Sequence, residues 1–127
     1  MSGLPLVLVI EDEFLLAADI EETLTQSGFA TESFFSGEEA LTSFVERTGK
    51  YKALVTDVRL GGDVDGWAVA KRIREKEPSF PVVYVTGATA EEWGAQGVPN
   101  SILIRKPFMS AQIVTSLSKL LNIDPTI

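Results

Sequence analysis

Four short stretches carry residues that could do chemistry together, although they lie far apart in the chain. Glu11 and Asp12 follow the apolar run Leu6-Val7-Leu8-Val9-Ile10, and Asp57 closes Ala53-Leu54-Val55-Thr56-Asp57. Thr86 and Gly87 follow Pro81-Val82-Val83-Tyr84-Val85, and Lys106-Pro107 follow Ser101-Ile102-Leu103-Ile104-Arg105. An unpaired carboxylate in mid-strand would be very costly, but at the mouth of a strand it is held rigidly while its oxygens reach solvent. Three carboxylates gathered at one place cannot all stay ionised without a counter-charge. With no histidine and no cysteine in the sequence, a metal could be held only through oxygen, which points to magnesium, manganese or calcium. An ammonium group at Lys106 and a hydroxyl at Thr86, beside open space at Gly87, would suit a tetrahedral anion.

Taken singly, each residue has a plainer explanation. Asp57 could cap a turn, and Glu11-Asp12 could be a solvated acidic turn favoured by the dipole of the helix it opens. Most lysines are solvated surface residues, and threonine is a common β-branched strand residue. What turns them into a site is a fold that brings the four strand ends to one edge.

The elements that would do so are legible. Leu6 to Ile10 is a continuous β-branched run, as expected for a strand covered on both faces. From Phe14 to Ser27 the pattern is helical, with Leu16, Ala17, Ile20 and Leu24 on one face and Gly28 as the stop. Phe29 to Phe34 reads as a less apolar strand nearer an edge. Ser36 and Glu39 form a capping box for a helix that buries Ala40, Leu41, Phe44 and Val45. After the third strand, Asp65-Gly66 start a helix with Val69, Ala70 and Ile73 inward, basic residues in its later turns as a solvated face, and Pro78 beyond its end. Pro81 to Thr86 is the fourth strand, and Thr89 with Glu92 caps a helix of a turn or two. Ser101 to Arg105 is the fifth strand, and Ser110 caps a last helix with Ile113, Val114, Leu117, Leu120 and Leu121 on its inner face. Strands and helices alternating through short loops predict a parallel sheet with helices on both faces, an α/β domain. In such sheets the ligand crevice lies outside the carboxyl ends of the strands.

Bulk composition narrows the function classes. The 127 residues are read as one domain without linker or repeat. No apolar run approaches the roughly 20 residues that span a bilayer, and Met-Ser-Gly-Leu-Pro offers no basic region of a signal peptide. The absence of cysteine suits the cytoplasm. A net charge of −7 disfavours direct nucleic-acid binding. Without histidine, Ser-His and Cys-His nucleophilic pairs are excluded.

The combination of Val9-Ile10-Glu11-Asp12-Glu13, Val55-Thr56-Asp57, Asp65-Gly66, Val85-Thr86-Gly87 and Lys106-Pro107-Phe108 resembles the receiver domain of bacterial two-component response regulators. The matches occur in family order and span almost the whole chain. The resemblance implies a three-layer, flavodoxin-like (βα)5 fold with strand order 2-1-3-4-5. It implies that Asp57 is the phosphoacceptor, taking a phosphoryl group from a phosphohistidine on a sensor kinase or phosphotransfer protein. By the same resemblance Glu11, Asp12, Asp57 and the backbone carbonyl of Arg59 bind Mg2+, Lys106 and Thr86 contact the phosphoryl oxygens, and the Lys106-Pro107 bond is cis. The chain would then be no enzyme beyond its own phosphorylation and dephosphorylation, and would signal to a downstream protein.

Two features depart from the commonest receivers. Leu103 stands where many carry the aromatic residue that swings inward on activation, and the loop from Asp57 to Asp65 is one residue longer, with Gly61-Gly62 in it. Tyr84-Val85-Thr86-Gly87 and the short fourth helix resemble a subgroup with Phe-Ala-Thr-Gly here and no aromatic switch, several of whose members stand alone. Signalling is then expected to run through residues 86 to 100. Trp93 lies there, either packed under the short helix or exposed on a partner-binding face. Two other classes share part of this pattern. A haloacid-dehalogenase phosphatase shares the aspartate, threonine, lysine and magnesium, but Arg59 occupies the place of its acid-base aspartate. An interaction module with the receiver fold would bind partners without phosphorylation.

Overall fold

The computed structural model describes residues 3–123. Strands and helices alternate: β1 (Leu6–Ile10), α1 (Phe14–Gln26), β2 (Ala30–Phe34), α2 (Gly37–Glu46), β3 (Tyr51–Thr56), α3 (Gly66–Lys76), β4 (Val82–Thr86), α4 (Ala90–Gln96), β5 (Ile102–Arg105) and α5 (Ser110–Leu121). All paired strands run parallel in the order β2-β1-β3-β4-β5. This is the parallel sheet covered on both faces that the strand and helix pattern predicts, in the three-layer flavodoxin-like order that the family resemblance implies.

The unbroken apolar runs become central strands because successive side chains point to opposite faces and both faces are covered. Val7, Val9, Val55, Val83 and Val85 pack with Ile20 and Leu24 of α1 and Ile113 and Leu117 of α5. Leu8, Ile10, Leu54, Val82 and Tyr84 face the other way, onto Ala40 and Phe44 of α2 and Val69 and Ile73 of α3. One helix layer is therefore α1 with α5, and the other is α2 with α3. β2, at the edge, is half-buried along its whole length, as its more polar sequence predicts.

Helix starts follow the local residues. Asp65 accepts the Ala68 N–H at 2.9 Å, and Thr89 and Glu92 form a reciprocal capping box at 3.1 and 3.0 Å. Of the Ser36–Glu39 pair, the serine half is present, at 3.2 Å. α4 buries none of its residues, and Trp93 anchors it. The indole ring packs half-buried against the core and its Nε1 donates to Ser101 Oγ at 2.9 Å. A Cβ at Gly97 would lie 2.4 Å from the Trp93 ring, so glycine is what admits it.

Several expectations need correction. Ser110 does not cap α5: the last extended residue is Met109, which takes the cap position, and the helix begins at Ser110, one residue earlier than a Ser110 cap would place it. The Gln112 carboxamide oxygen accepts the Met109 N–H at 2.8 Å instead, and the Ser110 hydroxyl donates to Asp19 on α1. Val45 is 54% exposed, since one step beyond Phe44 turns a side chain well off the buried helix face. Arg74 is more than part of a solvated face: it donates to the Phe80 carbonyl at 2.6 Å and the Pro99 carbonyl at 2.7 Å. α1 ends at Gln26 rather than Ser27, and β2, β4 and β5 begin one residue later than Phe29, Pro81 and Ser101.

Candidate functional site

Register brings the strand ends together. Ile10 pairs with Thr56, so Glu11 and Asp57 are the first residues beyond the paired ends of adjacent strands. The Asp57 N–H extends the ladder by donating to the Ile10 carbonyl at 2.9 Å. Two strands away, Thr86 pairs with Arg105, and the Lys106 N–H donates to the Thr86 carbonyl at 2.9 Å. Sheet hydrogen bonding thus fixes the backbone at Glu11, Asp57, Thr86 and Lys106 before any side chain is considered.

The side chains then converge. Lys106 Nζ lies 2.8 Å from Asp57 Oδ2 and 3.5 Å from Glu11 Oε1. Asp57 Oδ1 accepts the N–H of Val58 at 2.6 Å and that of Arg59 at 3.4 Å, so both carboxylate oxygens are held. One carboxylate oxygen each from Glu11, Asp12 and Asp57 lie within 4.8 Å of one another. Glu11 and Asp57 are buried, at 1% and 6% exposure, whereas Asp12 faces solvent. The Lys106-Pro107 peptide bond is cis.

The electrostatics follow from this crowding. Burial, then the charge of Asp57, pushes the Glu11 carboxyl up to about 7, against the opposing hydrogen bond from the Glu13 N–H. Burial alone would lower the Lys106 ammonium, but the bond and charge of Asp57, with the charge of Glu11, outweigh it and leave it raised. Glu11 Oε1 is sealed from solvent and, at 3.5 Å from the ammonium, has an ion-pair partner but no hydrogen bond. An orphaned buried carboxylate oxygen in an oxygen-only cluster is what a hard divalent cation would satisfy. The residues fit such an ion.

The other expected site residues stand close by in sequence or strand order. Thr86 is fully buried at the end of β4, its hydroxyl accepting the Ala88 N–H at 3.3 Å, and a Cβ at neighbouring Gly87 would touch nothing within 4 Å. The side chain of Arg59 reaches Glu92 of α4, at 3.7 Å. Leu103 is half-buried and pairs with Tyr84 on β4. There the large ring sits instead on Tyr84, covered by Trp67 at 4.6 Å between centroids, with its hydroxyl accepting the Val98 N–H at 3.1 Å.

One further residue lies away from every strand end. Glu38, in the first turn of α2, accepts the Asp63 N–H at 3.0 Å and so grips the loop between β3 and α3. β2 has no chemistry at its own end, so attention to strand ends passes over the helix that follows it.

Comparison with known proteins agrees with this geometry. A family model described as the response regulator receiver domain matches residues 7–118. The chain is 31% identical over 119 residues to the C4-dicarboxylate transport transcriptional regulatory protein DctD of Rhizobium meliloti (strain 1021), covering 91% of this chain and 25% of that protein. It is 28% identical to the sensor kinase CckA of Brucella abortus (strain 2308), covering 96% of this chain and 13% of that one. It therefore spans a quarter or less of the length of these two relatives. Among solved structures, a response regulator receiver protein from Sinorhizobium medicae WSM419 superposes with a TM-score of 0.89 and 41% identity, over 94% of this chain and 95% of that one. With matched residues running from β1 into α5, the chain belongs to the response regulator receiver domain family.

Proposed function

We propose that the chain is a phosphoacceptor that takes a phosphoryl group onto Asp57 from a phosphohistidine of a sensor histidine kinase or phosphotransfer protein. The observation that carries this reading is the Lys106 ammonium, 2.8 Å from Asp57 Oδ2, beside carboxylates that want a cation. In the step, a carboxylate oxygen of Asp57 forms the O–P bond as the P–N bond of the donor breaks. The imidazole leaves with the bonding pair and takes a proton from water.

Such transfer needs positioning and charge neutralisation more than covalent help from the protein. The amides of Val58 and Arg59 orient the Asp57 carboxylate. Lys106 is poised to follow the phosphoryl oxygens, with the Thr86 hydroxyl as a second donor. Glu11, Asp12, Asp57 and the Arg59 carbonyl would hold magnesium, which when bound neutralises the carboxylates and the transferred oxygens.

The sequence has no histidine, so the donor lies outside these residues. Exposed apolar side chains close in sequence to the site residues favour a protein donor: Phe14, Leu15 and Met109 are 68%, 78% and 74% exposed, within three positions of Asp12 or Lys106. The chemistry is self-phosphorylation and self-dephosphorylation, and the output is a conformational change read by a downstream protein. Among the described residues no helix is long and apolar enough to cross a membrane. The reading places the chain in the cytoplasm with its kinase's catalytic part.

Incubation with magnesium and a small acyl-phosphate donor tests the proposal. A stable gain of one phosphoryl group that disappears in Asp57→Asn supports it. Turnover of many donors per chain would mean a phosphatase, and neither gain nor turnover would mean a phosphorylation-independent interaction module.

A further inference from the structure

The loop from Asp57 to Asp65 ought to be loose, since it holds Gly61 and Gly62 in succession. It is instead tied at two points. At its base the Gly66 N–H donates to the Val58 carbonyl at 2.8 Å. At its tip the Asp63 N–H donates to Glu38 Oε2 at 3.0 Å. Gly62, at φ +89°, lies so close under that carboxylate that a Cβ would come within 2.8 Å of Oε2.

The approach of α2 to the loop is built in. A Cβ at Gly37 would stand 2.8 Å from both the Val64 carbonyl oxygen and a Val69 methyl, so glycine lets the helix start close enough for Glu38 to reach. The Asp63 amide, then Glu38's own and that of Val64, hold the Glu38 carboxyl below the usual carboxylate range, with the Arg72 charge adding to them. The side-chain cap of α2 is Ser36 and not Glu38. The Ser36 hydroxyl accepts the amide of Glu39, the other acid of that first turn.

We propose that Glu38 is a positioning residue that clamps the tip of the β3–α3 loop and thereby fixes the Arg59 carbonyl and the amides beneath Asp57 for cation binding. This rests on the magnesium reading of the site. Glu38 touches no reacting atom; it acts by denying the loop other conformations. Outer residues that orient ligands typically change metal affinity by roughly 10- to 100-fold when removed, and a clamp acting through a loop belongs at the lower end.

The test uses the full chain without phosphodonor: calorimetric titration with Mg2+, amide hydrogen exchange at Asp63 and Val64, and thermal unfolding. Glu38→Ala is expected to weaken Mg2+ binding roughly 10-fold and to deprotect the Asp63 amide. Glu39→Ala, which removes an acid from the same turn, is expected to leave both unchanged. Glu38→Gln keeps an acceptor oxygen at the same reach, recovers part of the affinity, and carries the test if the alanine variant fails to fold. Equal effects of the Glu38 and Glu39 substitutions, or unaltered Mg2+ affinity with Asp63 deprotected, overturn the clamp while leaving the metal reading intact. No Mg2+ binding by the unsubstituted chain overturns the metal reading and the clamp with it.

Discussion

Lys106 Nζ donates to Asp57 Oδ2 across 2.8 Å, joining two residues 49 positions apart. The pair is possible because β3, β4 and β5 are consecutive in the sheet and each residue is the first beyond its strand. Lys106 is the only cation within salt-bridge distance of Glu11 or Asp57 among the described residues.

Replacing that cation separates metal binding from phosphoryl transfer. Lys106→Met removes a competitor for the carboxylates, so Mg2+ affinity is expected to hold or rise. It also removes a donor for the developing charge on the phosphoryl oxygens, and phosphorylation by an acyl-phosphate donor is expected to slow by roughly 10²-fold. Parallel loss of both properties would show that Lys106 merely holds the pocket together.

The Glu11 carboxyl, pushed up to about 7, gives a pH dependence with a definite sign. Between its ordinary pKa and about 7 the folded metal-free chain binds a proton that the unfolded chain does not. Metal-free stability should therefore be fully favoured below the ordinary value, fall as pH rises through that interval, and flatten above about 7, by at most about 3 kcal/mol. Cation binding needs the ionised form and runs the other way: Mg2+ affinity is expected to fall as pH drops below 7. Denaturant melts at several pH values, with and without Mg2+, measure both slopes. A metal-free stability indifferent to pH across that range contradicts the assignment.

Gly66 is the tightest backbone constraint near the site. A Cβ there would lie 2.1 Å from the Asp57 carbonyl oxygen and 2.8 Å from the Val58 Cα, backbone atoms that cannot swing aside. Gly66→Ala is expected to destabilise the chain by about 1–3 kcal/mol, as overpacking does. It should also weaken Mg2+ binding, because relief of the clash must shift Asp57 or the loop. Chemical denaturation and a Mg2+ titration check the two effects, and a neutral substitution would mean that α3 can slide without disturbing the acid.

Much of this was legible because strand ends are where an α/β sheet places its chemistry, and apolar runs closed by Glu11, Asp57, Thr86 and Lys106 mark those ends plainly. The layers too could be read, since runs such as Leu6 to Ile10 need cover on both faces. What could not be read depends on contacts between elements distant in sequence. Glu38 looks like an ordinary first-turn acid until α2 is seen against the loop at Asp63. Tyr84 looks like any strand aromatic until Trp67 and the Val98 amide are found fixing it. Ser110 looks like a cap until Met109 is seen to be the last extended residue, a conformation with no local sequence signature.

The region from Thr86 to Asn100 is where a change at Asp57 should emerge. Leu103 lacks a ring to swing, and Tyr84 is held by its hydroxyl and by Trp67. α4 buries none of its own residues and is held by Trp93 and by exposed polar contacts, Lys71 to Gln96 at 2.7 Å and Arg59 to Glu92 at 3.7 Å. Exposed contacts of this kind contribute little to stability, which places α4 at the low-stability end of the fold. The Thr86 hydroxyl now accepts the Ala88 N–H. Turning it toward a phosphoryl group on Asp57 would free that amide and loosen the loop leading into α4. Phosphorylation is expected to change amide exchange across residues 86 to 100, beginning at Ala88, and to leave α1 and α2 little altered. Asp57→Asn treated in the same way supplies the baseline. Identical exchange over 86 to 100 in phosphorylated and unmodified chains would place the output elsewhere, as on the exposed apolar side chains Phe14, Leu15 and Met109.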